Sequence, residues 1–214
     1  MTSPQAVVAT VVDGAVTTTV VDAAGTTHAA DDLPTLTGGE LFPVYSVTKP
    51  LIAAAVMSLV GEGRVALDEP VRVPKRSLDP AVTVRRLLNH TAGLPDYGRL
   101  PEYAAGLRAH PTRPWSREDF LDRTVGRGLL FEPGTSWAYS NVGYLVLALL
   151  LEREHAAPLA DVLRSRLFEP LGLTVTRVAV DLGDMAALPP ARSGAFDGDV
   201  PSHYHPGWVA HGLV

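Results

Sequence analysis

The 214-residue chain contains no cysteine. Disulfides, thiol nucleophiles and cysteine-based metal sites are therefore excluded, and the redox compartment is left open. Lysine is almost absent too: Lys49 and Lys75 are the whole supply, although arginine is plentiful. There is no excess of positive charge. The net charge of −5 and pI near 5.8 give no reason to expect nucleic acid or an anionic membrane as partner. Long apolar runs are missing as well. The longest, Tyr144 to Leu151, is far too short to span a bilayer. No basic residue precedes the first apolar run, which ends at Asp13, so no signal peptide is read; the expected location is the cytoplasm, with export the alternative if the N-terminus is incomplete.

What remains is 46% hydrophobic and 19% charged, an ordinary globular composition with enough apolar residues for one core. Ala6 to Val12 and Ala15 to Val21 are rich in valine and threonine and are separated by Asp13-Gly14, a strong hairpin signal. A further short strand is expected near Thr26. Several helices come after it. One hairpin and then a run of helices reads as an α+β fold, with helices beside an antiparallel sheet. A single domain is expected over 1–214. Its first 45 residues hold strands and loop, 46–180 is mainly helical, and 181–214 is rich in loop.

The densest chemistry lies in Leu41-Phe42-Pro43-Val44-Tyr45-Ser46-Val47-Thr48-Lys49-Pro50 and the helix after it. That helix is apolar on almost every side and is expected to be buried. Pro50 fits in its first turn, where backbone N–H groups have no helical partner. Ser46 then stands at the helix mouth and Lys49 one turn on, on the same face. Burial and the positive helix end both disfavour the ammonium form of Lys49. A neutral lysine can take a serine proton, and the serine can then attack a carbonyl. The competing account of the same letters is an N-cap serine followed by a solvated lysine. The lack of a polar face around Lys49, and the scarcity of lysine elsewhere, weigh against it.

Tyr139-Ser140-Asn141 precedes a second apolar helix, from Val142 to Leu151. An acyl transfer needs a proton relay and a polar group that orients substrate, and a tyrosine and an amide can supply them. The alternative is a core tyrosine and an asparagine that caps the helix. Thr83 is expected to cap a short helix ending near His90, and Ser116 another. Tyr97 to Pro114, with Pro101 and Pro111 inside it, is expected to be an irregular lid over the substrate.

These pieces together resemble the serine β-lactamase and penicillin-binding-protein superfamily, in its class C branch with the family VIII carboxylesterases and D-alanyl-D-alanine carboxypeptidases. The resemblance rests on Ser46-Val47-Thr48-Lys49, Leu87-Leu88-Asn89-His90-Thr91-Ala92-Gly93-Leu94, Phe131-Glu132-Pro133-Gly134, Tyr139-Ser140-Asn141 and Phe168-Glu169-Pro170-Leu171-Gly172-Leu173, in that order. It implies a β-lactamase/transpeptidase-like fold and a catalyst that needs no cofactor and no metal. Ser46 would be the acylated nucleophile and Lys49 its base or hydrogen-bond partner. Tyr139 would be the second base and relay, and Asn141 would contact substrate. Which of Lys49 and Tyr139 takes the first proton stays open. His90 is assigned to structure.

A departure accompanies the resemblance. The third motif, Lys-Thr-Gly or His-x-Gly on a strand, is not found. His205-Pro206-Gly207 fits the letters but sits in a loop too soon after Tyr139. Gly207-Trp208-Val209-Ala210-His211-Gly212-Leu213-Val214 looks like a family segment that runs on into a helix, so the chain is expected to be an incomplete domain. The partner expected is a small ester or amide, chiefly a short acyl ester, attacked by Ser46. The alternatives are D-alanyl-D-alanine carboxypeptidase or β-lactamase activity, or a catalytically impaired member that binds a peptide or ligand. An α/β-hydrolase is excluded because no serine is flanked as Gly-x-Ser-x-Gly. A metal site built from His203, His205 and His211 lacks any H-E-x-x-H-like helix, and these are read as free loop histidines.

Overall fold

The structure is a computed structural model and describes residues 6–12, 15–21, 27–29, 41–188 and 204–214. The chain divides into two compact units, Met1–Glu40 and Leu41–Val214.

In the first unit three strands form an antiparallel sheet in the order β1 (Ala6–Val12), β2 (Ala15–Val21) and β3 (Thr27–Ala29). The register pairs Ala6 with Val21 and Val12 with Ala15. Two residues separate that last pair, the length of a tight hairpin turn. The Asp13-Gly14 turn itself lies outside the described residues.

The second unit is helical. Its centre is α5 (Asn141–His155), which packs against α1 (Thr48–Gly61), α2 (Val84–Leu88), α4 (Arg117–Thr124) and α6 (Leu159–Leu163). Leu145, Leu147 and Leu151 of α5 are fully buried among Ile52, Leu59, Leu87, Phe120 and Leu163. Burial of each such side chain contributes roughly 1.5–3 kcal/mol. The helix ends are set by local chemistry. The Thr83 side chain accepts from Arg86 N and starts α2. Ser116 and Asp119 form a reciprocal capping box at α4. Ala156, in the left-handed region at φ 50°, stops α5.

Two expectations are corrected here. The α1 helix is not buried all round. Thr48, Lys49, Ile52, Ala55, Val56 and Leu59 are buried at helical spacing. Pro50, Ala54 and Met57 are exposed, so hydrophobic letters on every face did not mean burial on every face. Nor is Tyr97 to Pro114 an irregular lid. It forms a 3-10 turn at Tyr97–Arg99 and then helix α3 (Pro101–Ala109). Pro101 is the first helical residue, where its missing N–H costs nothing, and the extended Leu100 before it satisfies the steric demand of a following proline. Tyr97 is buried, and Trp208 packs with Tyr103, Trp115 and Phe120. A last short helix, α7, spans Leu182–Ala186.

The segment from Tyr204 to Val214 is tied down at both ends. Trp208 anchors it by donating from Nε1 to Pro111 O at 3.0 Å. At its far end Val214 N donates to Thr48 Oγ1 at 3.1 Å, and Val44 N donates to Val214 O at 2.7 Å. The segment therefore crosses the mouth of α1. Among the described residues, no helix is long and apolar enough to cross a membrane.

Candidate active site

Ser46 lies in a 3-10 turn, Tyr45–Val47, that leads directly into α1. The turn starts from Tyr45 at φ 44°, a conformation that costs an L-residue roughly 1–2 kcal/mol. Tyr204 donates its hydroxyl to Tyr45 Oη at 2.9 Å and helps hold that turn. Val47 is the N-cap of α1, and no side chain caps the helix. The Ser46 hydroxyl is thus not spent on capping, which removes the structural account of the Ser-x-x-Lys letters. Lys49 sits in the first turn and is 4% exposed, so it is not a solvated lysine either.

Tyr139 is brought to Ser46 by a ladder between two loops. Leu130 N donates to Gly93 O, Gly134 N to Thr91 O and Ala138 N to His90 O. Gly93 has φ 75°, and a Cβ there would lie 2.5 Å from Phe131 O, so only glycine permits this approach. His90 completes the frame. Its Nδ1 accepts from Ser140 N at 3.2 Å, and its ring lies 4.7 Å from that of Tyr139. Burial, and then the nearby Lys49 charge, push the His90 pKa down, so the ring stays neutral with its proton on Nε2.

Ser46 Oγ lies 2.8 Å from Tyr139 Oη and 3.3 Å from Lys49 Nζ. Lys49 Nζ also donates to Asn141 Oδ1 at 2.7 Å. The structure therefore brings all four sequence-selected residues, Ser46, Lys49, Tyr139 and Asn141, into one hydrogen-bonded group. Asn141 does not cap α5. Ser140 does, accepting from Gly143 N at 3.2 Å, and Asn141 is left free to meet Lys49.

Three further residues belong to this group and were not selected from the sequence. Asp96 Oδ1 accepts from both Asn141 N and Asn141 Nδ2 at 2.9 Å, which fixes which end of the amide faces Lys49. His211 Nε2 lies 3.1 Å from Lys49 Nζ, and its Nδ1 lies 3.4 Å from Tyr97 Oη. Tyr97 Oη in turn accepts from Ala210 N. The reading of His211 as a free loop histidine is corrected: it is 2% exposed. Burial, and then the Lys49 charge, lower its pKa to about 3. The letters Ala-His-Gly carry no signal for this, because the contact spans 162 residues of sequence.

His205 does something else. Its Nδ1 accepts from Gly207 N and caps the turn Pro206–Trp208, so His205-Pro206-Gly207 lies on a loop and not on a strand. His203 lies outside the described residues. Among those residues, no cluster of three metal-ligating side chains is found.

The electrostatics suit proton transfer. Burial lowers the Lys49 pKa from 10.5 to about 8, against the opposing charge of Asp96. The ammonium also lies 4.9 Å from the Tyr139 ring centroid. At neutral pH about a tenth of the lysine is then uncharged and able to accept a proton.

A family model described as Beta-lactamase matches residues 1–213. Among curated proteins, penicillin-binding protein 4* of Bacillus subtilis (strain 168) is 34% identical over 67% of this chain and 32% of its own length. Esterase EstB of Burkholderia gladioli is 34% identical over 62% of this chain and 37% of its own length. The chain thus spans about a third of these relatives. Among solved structures, D-amino acid amidase from Ochrobactrum anthropi SV3, complexed with D-phenylalanine, superposes with a TM-score of 0.65. It is 31% identical, over 83% of this chain and 53% of that one.

Proposed function

The chain belongs to the beta-lactamase family, and from that premise we propose that it is a serine hydrolase that forms an acyl-enzyme on Ser46. The observation that carries the reading is the Ser46 hydroxyl held at once by Tyr139 at 2.8 Å and by Lys49 at 3.3 Å. Uncharged Lys49 accepts the Ser46 proton. The Oγ lone pair forms a bond to the substrate carbonyl carbon, and the carbonyl π electrons move onto its oxygen. As the tetrahedral centre collapses, the bond to the leaving group breaks and Tyr139 donates a proton to that group. Tyr139 regains its proton from the Lys49 ammonium beside its ring, so the proton taken from Ser46 is the one delivered to the leaving group. Water then attacks the acyl-enzyme by the same path in reverse. Asn141, oriented by Asp96, presents its amide to Lys49 and to substrate.

The substrate proposed is a small ester, chiefly a short acyl ester. The likeness to a D-amino acid amidase favours a second reading, an amide of a D-amino acid attacked by the same serine. Treatment with a fluorophosphonate, followed by peptide mass analysis, tests the nucleophile. The expected result is one adduct, on Ser46, that is lost in Ser46→Ala. An unlabelled Ser46 in folded protein would reject the reading in favour of a ligand-binding member of the family. Parallel assays with p-nitrophenyl butyrate and D-phenylalanine amide then separate ester from amide preference.

A further inference from the structure

We propose that His211 is a positioning residue that takes one proton of Lys49 on Nε2, so that the remaining valence of the amine is directed at Ser46 Oγ. The inference rests on Ser46 being the nucleophile. An uncharged lysine has two N–H bonds and one lone pair. Lys49 Nζ has three neighbours, Asn141 Oδ1 at 2.7 Å, His211 Nε2 at 3.1 Å and Ser46 Oγ at 3.3 Å. Asn141 can only accept there, because Asp96 accepts from its Nδ2 and so turns the carbonyl oxygen towards the amine. If His211 Nε2 also accepts, both N–H bonds are used and the lone pair is left for the serine hydroxyl.

A histidine suits this task in a way that a carboxylate would not. It is buried and stays neutral far below the working pH, so it holds the amine without stabilising the ammonium. The proposal puts the ring proton on Nδ1, which lies 3.4 Å from Tyr97 Oη, and Tyr97 is itself held by Ala210 N. The other groups that face Lys49 are Tyr139, Tyr144 at 5.8 Å from its ring centroid, and Asp96 behind Asn141. His90 is held neutral behind Tyr139. Among the described residues Asp96 is thus the one anion acting on the lysine, and a second at position 211 would change its proton affinity sharply.

The test uses the chain's two lysines. Lysine labelled at Cε and Nζ gives two side-chain NMR signals, and Lys49→Arg identifies one. In the wild type the Lys49 signal should titrate near pH 8. In His211→Glu its midpoint should rise by about one pH unit or more, as expected for an added opposite charge. Fluorophosphonate labelling of Ser46 at pH 7 should then slow about tenfold per unit of rise and recover at higher pH. His211→Ala should slow labelling by up to roughly 10²-fold through misplacement of the amine. His211→Gln, which keeps an acceptor, should rescue both rate and profile in part. An unmoved Lys49 midpoint in folded His211→Glu overturns the proposal. So does an Nε2–H tautomer of His211 in the wild type, read from long-range proton–nitrogen correlations, and that measurement decides even if the variants do not fold. Failure of wild-type Ser46 to label would instead remove the nucleophile reading, leaving the His211 contact to be judged by NMR alone.

Discussion

Two serines stand at the mouths of two apolar helices, and the structure uses them in opposite ways. Ser140 precedes α5. Its hydroxyl accepts from Gly143 N and donates to Pro95 O, so it is spent on structure, and the residue is 4% exposed. Ser46 precedes α1. It caps nothing, is exposed, and touches Tyr139 and Lys49 instead. The residue three positions on makes the difference: Gly143 offers only its backbone N–H, while Lys49 offers an amine. A helix mouth can bind a hydroxyl or present it, and α1 forgoes a cap worth about 1 kcal/mol to present it.

The sharpest break of this comparison is Ser46→Ala. Loss of p-nitrophenyl butyrate hydrolysis by roughly 10³-fold or more is expected, the scale of removing a nucleophile. Stability should change by no more than about 0.5 kcal/mol, because nothing structural is lost. Full turnover in that variant would show the two serines to be alike. Lys49→Arg comes next. It keeps the charge but cannot give up its proton, so activity should fall by roughly 10²-fold. Near-normal rates would leave Tyr139 as the sole base.

The pH profile is a milder test. Acylation should rise about tenfold per pH unit towards pH 8 and level off above it, as Lys49 loses its proton. The sign for stability is the same. The folded pKa lies below the unfolded 10.5, so the unfolded chain holds more protons between pH 8 and 10.5. Lys49 therefore adds stability as pH climbs through that window, and chemical denaturation of wild type beside Lys49→Met at pH 8 and 10.5 separates it from the buried tyrosines, whose raised pKa values act in the opposite sense. The smallest effect belongs to Ser140→Ala. It should cost about 1 kcal/mol, seen as a melting point lower by roughly 2–4 °C, with Ser46 still able to label.

Distance along the chain decided what was legible in the sequence. The Ser46–Lys49 pair is one helical turn apart, and both helix mouths are punctuated by residues whose local chemistry is strong. Tyr139 and Asn141 were legible through an ordered set of motifs and not through spacing. Asp96, Tyr97 and His211 were not. Their letters are ordinary, and long-range packing of Trp208 among Tyr103, Trp115 and Phe120, with the bonds of Val214 to Thr48 and Val44, brings the last segment across α1. Tyr97–Pro114 was misread for another reason. Pro101 resembles an interruption when it is a beginning, since the same missing N–H that breaks a helix interior suits its first residue.

The burial of Lys49 has a practical side. Lys75 is exposed, whereas Lys49 is enclosed by Asn141, His211 and Tyr139. Amine-reactive dyes and aldehyde supports meet lysines by collision, so Lys75 is the lysine of this chain that they reach. A succinimidyl dye should modify Lys75 and leave Lys49 intact until the protein unfolds. Conjugation at Lys49 could then serve as a reporter of denaturation that requires no mutation at all.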